Sequence, residues 1–112
     1  MNCLFCNIVS KAVDSQIVFE DDQVLAFHDI HPQAPTHILV IPKIHIPNIT
    51  QFAPPHSEVL NAMFSAVKTI AHQHQLSQGF RLVTNIGIDG GQTVNHLHFH
   101  ILGGRKMNWP PG

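Results

Sequence analysis

His96-Leu97-His98-Phe99-His100-Ile101-Leu102 is the stretch on which the reading of this chain turns. Histidine alternates with apolar residues through it. In a β-strand successive side chains point to opposite faces. His96, His98 and His100 therefore share one face of an expected strand over 94–102, and Leu97, Phe99 and Ile101 share the other. Neighbouring imidazoles would stand ~6.5–7 Å apart at the backbone, from a rise of ~3.3 Å per residue. The apolar row can anchor the strand on a core. The polar row must line a cleft, find partners or bind something, because buried unpaired imidazoles are costly.

Three kinds of chemistry suit such a row. It can be a hydrogen-bonded, half-exposed face with no reaction attached. It can supply metal ligands, although three imidazoles at i, i+2 and i+4 converge poorly on one ion and no carboxylate lies within the strand. It can supply a nucleophile, since neutral imidazole attacks phosphorus or carbonyl centres and a neighbouring histidine can orient it or carry its proton. The upstream segment Asp89-Gly90-Gly91-Gln92-Thr93 favours the nucleophile. Glycines allow close backbone approach to a ligand, and an amide, a hydroxyl and backbone N–H groups suit phosphate.

The flanking chain reads as an α+β domain. Phe5 to Lys11 is a short helix with Phe5, Ile8 and Val9 on one face. Ile17 to Phe19 and Val24 to Asp29 form a hairpin around the turn Glu20-Asp21-Asp22. His31 to Pro35 is a Pro-punctuated loop. His37 to Ile41 is continuously apolar, as in a strand buried on both faces, and Pro42 stops it. A long helix covers Pro55 to His74, with Val59, Leu60, Met63, Phe64, Val67, Ile70 and Ala71 at i, i+3, i+4 spacing. Phe80 to Asn85 is a fourth strand-like run, Gly87 to Thr93 a Gly-rich loop, and the residues after Leu102 an irregular tail. About five strands, mostly antiparallel, and two helices make one domain over 1–112.

Composition narrows the functional classes. The chain has 112 residues, 44% hydrophobic and 12% charged, with a formal charge of −1. That balance supports a packed core. Six scattered Lys and Arg residues make no nucleic-acid footprint. Apolar runs of four or five residues fall far short of the ~20 needed to span a membrane, and no secretory signal pattern opens the chain. Cys3 and Cys6 sit too close together to staple distant segments, so a reducing, cytoplasmic setting is expected. Ten histidines are the compositional excess.

HLHFHIL matches the signature of the histidine triad family of nucleotide hydrolases and transferases. Phe27-His28-Asp29-Ile30, the segment PQAPTHILVIPK over 32–43, the GGQTV loop and the tail LGGRKMNWPPG resemble its nucleotide-binding protein branch, known as HINT. The resemblance covers nearly the whole chain. It implies a five-stranded antiparallel sheet with two helices, paired in a homodimer as one ten-stranded sheet, with tail 103–112 reaching toward the partner's site. It implies hydrolysis of purine nucleoside 5′-phosphoramidates and acyl-nucleotides, yielding AMP or GMP through a nucleotidyl-histidine. His98 would attack, His100 would contact phosphate oxygens, His37 would join a proton relay, and His96 would support the geometry. Asp29 would bind the ribose hydroxyls. Leu4, Phe5, Ile8, Phe27 and Ile30 would form the base pocket. Asn85, Gly91, Gln92 and Thr93 would hold phosphate, Val94 would also contact the nucleotide, and Trp109 would shape the leaving-group region. No cofactor is required for that chemistry. A nucleotide-binding interaction protein and a dinucleoside polyphosphate hydrolase are the alternatives, and the WPPG tail argues against the latter. Asn95 departs from the pattern, standing where many relatives carry an aromatic.

Cys3-x-x-Cys6 has three readings. It can be a redox pair, although such pairs follow a strand and open a helix. It can be two small buried hydrophobes. It can be half of a zinc site. The family resemblance supplies His45 and His96 as the other ligands of a structural zinc, remote from the attacking group. His28, His31, His56, His72 and His74 fit no motif and read as solvated or packing residues.

Overall fold

The computed structural model describes residues 2–112. Helix α1 spans Leu4–Val9, and strands β1, β2 and β3 span Ile17–Glu20, Val24–His28 and Thr36–Pro42. Two 3-10 turns, Ile49–Gln51 and Pro54–His56, lead into helix α2, Ser57–Gln73. Strands β4, Arg81–Val83, and β5, Phe99–Gly103, complete the order. The five strands form one antiparallel sheet in the order β1-β2-β3-β5-β4. The fold is the expected α+β sheet with two helices.

Each face of the sheet has its own core. Val24, Ala26, Ile38, Val40, Phe99 and Ile101 pack with Val59, Met63, Val67 and Ile70 of α2. Leu25, Phe27, Leu39 and Ile41 pack with Phe5 and Ile8 of α1. Strand β3 is thus covered on both sides, as its unbroken apolar run demands. Leu97, Phe99 and Ile101 are all buried on the α2 side. Burying three such side chains contributes about 5 kcal/mol or more, at ~1.5–3 kcal/mol each. A one-residue slip would put imidazoles in their place, so the register is tightly held.

The final strand is shorter than its alternation suggests. Only Phe99–Gly103 joins the ladder, and His96 and His98 precede it. Val40 pairs with Phe99, so continuing the register would set Leu97 opposite Pro42. Pro42 has no N–H to offer there. The Leu97 N–H donates to the Ile46 carbonyl instead, and the Thr84 hydroxyl, just beyond β4, donates to the His98 carbonyl. Strand β4 is likewise three residues long where a run over 80–85 was expected. The segment carrying the first two histidines is therefore irregular backbone held by side chains, although its side chains still alternate.

Candidate active site

A cavity of about 720 Å³ opens on the α1 side of the sheet. This lies within the range of small-molecule sites. Phe5, Ile8, Phe27 and Leu39 give it an apolar wall, Leu4 and Ile30 form its exposed rim, and Asp29, Thr93, Val94, His98 and His100 converge on it. His28 at the end of β2, and Val13, Asp14, Ser15 and Gln16 from the loop between α1 and β1, complete the lining. Sequence reasoning missed the four loop residues. They carry no period and no motif, and only folding brings them opposite His98.

Hydrogen bonds assign the proton-bearing nitrogen of His37, His98 and His100. Nδ1 of His98 lies 2.7 Å from the His96 carbonyl, which can only accept, so Nδ1 is the donor. The neutral ring keeps its lone pair on Nε2. Among the described residues no buried side-chain nitrogen or oxygen lacks a hydrogen-bond partner. Nε2 of His98 has no hydrogen-bond partner among the described residues, so it is open to the cavity that His98 lines. In His37 the order is reversed: Nδ1 accepts the Gln33 N–H at 3.0 Å, and Nε2 faces Nδ1 of His100 at 2.9 Å. His37 therefore donates from Nε2, and His100 accepts on Nδ1 and carries its own proton on Nε2.

Burial keeps these rings neutral. Desolvation pulls His37 and His98 below the usual imidazole range, against the opposing pull of the His96 carbonyl on His98 and of Asp29 on both. His100 falls to about 4, through desolvation and then through His98 and His37 beside it. Asp29 sits just beyond β2, its Oδ1 accepting the His31 N–H at 2.8 Å and its Oδ2 lying 3.4 Å from Nε2 of His37. Phe5 meets the His98 ring edge-on, with centroids 5.1 Å apart.

The Gly-rich loop departs from its expected role. The N–H of Gly91 bonds the Ile88 carbonyl and that of Gln92 bonds the Gly87 carbonyl. The Gln92 side chain donates to the Pro47 and Val94 carbonyls and accepts from the Gly87 N–H and Asn48 Nδ2. Its amide is thus occupied by bonds within its own loop, to Gly87 and Val94, and by bonds across to Pro47 and Asn48. Gly91 and Gln92 thus shape the loop, while Thr93 and Val94 present it to the cavity. Asn85 lies outside the lining, and Trp109 is 82% exposed on the tail, away from the cavity of its own chain.

His96 belongs to a second cluster. Its ring is fully buried, and Nε2 donates to the Pro42 carbonyl at 2.9 Å, so the lone pair sits on Nδ1. Cys3 Sγ, Cys6 Sγ and His45 Nδ1 stand 3.3, 3.5 and 3.2 Å from that nitrogen. All four ligand atoms lie within 4.8 Å of one another. A tetrahedral ion with bonds of ~2.0–2.3 Å has ligand-to-ligand edges of about 3.3–3.8 Å. The set fits such an ion, and Cys3 Sγ also accepts the Cys6 N–H at 3.3 Å, as a ligating thiolate does. In the absence of a cation the Cys6 thiol is pushed up to about 11, by desolvation and by Cys3 next to it. The cluster is not remote from the cavity, because the carbonyl of His96 holds His98. His31, His56, His72 and His74 lie outside both clusters, whereas His28, which fits no motif, lines the cavity beside Asp29.

The HIT domain model matches residues 10–107. The chain belongs to the HIT family. A HIT-like protein of Synechococcus elongatus is 50% identical over 109 residues, which cover 97% of this chain and 96% of that protein. The adenylylsulfatase HINT1 of Arabidopsis thaliana is 47% identical over 111 residues, 97% of this chain and 76% of the relative. A 14 kDa zinc-binding protein of Zea mays is also 47% identical, over 97% of this chain and 87% of that one. The HIT family hydrolase of Legionella pneumophila superposes with a TM-score of 0.97 at 49% identity, covering 99% of this chain and all of the other. The HIT chain described here is thus a member of a superfamily of nucleotide hydrolases. No described helix is long and apolar enough to cross a membrane.

Proposed function

We propose that this HIT protein hydrolyses purine nucleoside 5′-phosphoramidates and acyl-nucleotides, releasing the nucleoside monophosphate. The observation that carries this reading is the tautomer of His98. Its Nδ1–H is committed to the His96 carbonyl, and its Nε2 lone pair is exposed to a cavity of nucleotide size.

Nε2 of His98 attacks the α-phosphorus and the P–N bond breaks. The departing amine takes up one proton from solvent, and the nucleotidyl group stays on His98. The positive charge that develops on this ring is shared with the His96 carbonyl through Nδ1–H. Water then attacks the same phosphorus, the P–Nε2 bond breaks, and the proton that this water sheds replaces the one carried off by the amine. His100 donates Nε2–H to a phosphoryl oxygen, and His37 supports it as a relay. Thr93 and Val94 border the phosphate, Asp29 accepts from the ribose hydroxyls, and Phe5, Ile8 and Phe27 take the base between apolar walls with Leu4 and Ile30 at the rim. No metal takes part in these steps.

The Arabidopsis relative named as an adenylylsulfatase supports a tolerant leaving-group side, since phosphosulfate and phosphoramidate share the adenylyl half. The Cys3, Cys6, His45 and His96 cluster is read as a structural zinc site, supported by its donor set and by the maize relative's name. A zinc ion there would draw the protons from both thiols and pin the start of α1 to the segment before β5. A homodimer joined through β4 is supported by that strand's place at the sheet edge and by the exposed Phe64, Phe80 and Leu82. In such a dimer the tail with Trp109 reaches the partner's cavity.

Mass spectrometry of enzyme quenched during turnover of a fluorogenic adenosine phosphoramidate tests the central step. A nucleotidyl adduct on His98 is expected. Turnover with no adduct on any histidine would overturn covalent catalysis.

A further inference from the structure

Arg105 stands outside the cavity, on the tail that follows β5, and grips the loop between β2 and β3. Its Nε and Nη2 donate to the Gln33 carbonyl at 3.3 and 3.0 Å. Its Nη1 donates to the Lys106 carbonyl at 3.3 Å. The residue before it, Gly104, has φ +87°, and a Cβ there would lie 2.8 Å from the Cβ of Pro35. The tail and the loop are therefore in close contact at two points, Gly104 on Pro35 and Arg105 on Gln33.

The same loop sends one group inward. The Gln33 N–H donates to Nδ1 of His37 at 3.0 Å. That one bond orients everything after it. His37 must carry its proton on Nε2, His100 must accept on Nδ1, and His100 must show an N–H to the cavity. If the loop turned so that a carbonyl faced Nδ1 of His37, the chain would run backwards. His100 would then point a lone pair at an anionic phosphoryl group, and Nε2 of His37 would point one at Asp29 Oδ2, 3.4 Å away. Both contacts would be repulsive.

We propose that Arg105 is a positioning residue: by holding the Gln33 carbonyl it fixes the loop that sets the direction of the His37–His100 hydrogen-bond chain. The inference rests on reading the cavity as a phosphoryl-transfer site. It adds that the tail acts on its own chain's chemistry, separately from any reach of Trp109 toward a partner.

Nitrogen-15 NMR of histidine-labelled full-length protein reports which ring nitrogen bears hydrogen, without any substrate. The unaltered protein is expected to show His37 and His100 both protonated on Nε2. Arg105→Ala is expected to populate the other tautomer at His37 and to lower kcat about tenfold, with KM changed less than about twofold, as for a misdirected catalytic group. Arg105→Lys, which keeps the charge and one donor, guards against a folding failure and is expected to recover part of both readouts. Lys106→Ala removes an exposed cation from the same tail and is expected to alter neither. Arg105→Ala with both rings still protonated on Nε2 would overturn the proposal, whatever its effect on rate. Unaltered protein with the expected tautomers and no turnover of phosphoramidates would overturn the phosphoramidase reading instead.

Discussion

Two clusters of histidine lie on the α1 side of this sheet, and a single bond separates them. One gathers Cys3, Cys6, His45 and His96, and the other gathers Asp29, His37, His98 and His100. By proximity alone both could hold a metal, since Asp29, His37 and His100 also place ligand atoms within 4.8 Å of one another. The backbone around them tells them apart. A carbonyl, that of Pro42, accepts from the outer nitrogen of His96 and leaves its inner lone pair for a cation. An N–H, that of Gln33, donates to the outer nitrogen of His37 and forces a proton onto the inner one. A ring that already carries hydrogen on the inward nitrogen is a donor there, not a ligand. The same residue type is thus suited to ligate a metal or to pass on a proton according to one backbone group.

The contrast can be broken most sharply at its junction. His98→Asn is expected to cut turnover roughly 10⁴-fold or more, as loss of a nucleophile does, while zinc content and melting temperature stay as they are. Loss of bound zinc in that variant would show that the clusters are not separable. Cys6→Ser is the mirror experiment. Metal analysis should fall from one zinc per chain to none, with Tm lowered by about 10 °C, equivalent to ~2 kcal/mol for a domain of this size. Turnover should stay within about tenfold, because His96 keeps its bond to Pro42 and its carbonyl still holds His98.

Smaller effects refine the comparison. Gln92→Ala leaves the Pro47 and Val94 carbonyls without a side-chain donor and removes the acceptor of the Gly87 N–H. It is expected to cost about 1–2 kcal/mol of stability in denaturant unfolding, with KM for the nucleotide changed little. A large rise in KM without a loss of stability would restore a direct phosphate role to that side chain. The smallest effect is on pH dependence. His37, His98 and His100 all hold folded pKa values below the ordinary ~6.5. The unfolded chain therefore binds protons first as pH falls. Stability is full above about 6.5 and is lost on the way down to about 4, where His100 protonates in the folded state. His100→Gln should flatten a plot of Tm against pH across that window by a few degrees.

Much of this arrangement is legible in the residues themselves. The apolar alternation of Leu97, Phe99 and Ile101 identifies the buried face, and the run from His37 to Ile41 identifies the central strand. Helix α2 follows its spacing, and Pro54 and Pro55 start a 3-10 turn just before it. Gln92 misleads because an amide in a Gly-rich loop suits phosphate as well as it suits loop carbonyls. Composition cannot say which it meets. The loop over 13–16 gives no signal at all, since its place in the cavity depends on how α1 docks against β2.

The alternating histidines, the two cysteines and the apolar periods fix which chemistry this chain can carry, because side-chain type and strand alternation are local properties. Tertiary structure alone decides which nitrogen of each ring holds the proton. That choice is made by carbonyls and N–H groups at Pro42, Gln33 and His96, and the bonds from the rings of His96 and His37 to Pro42 and Gln33 form only when the loops have closed around them.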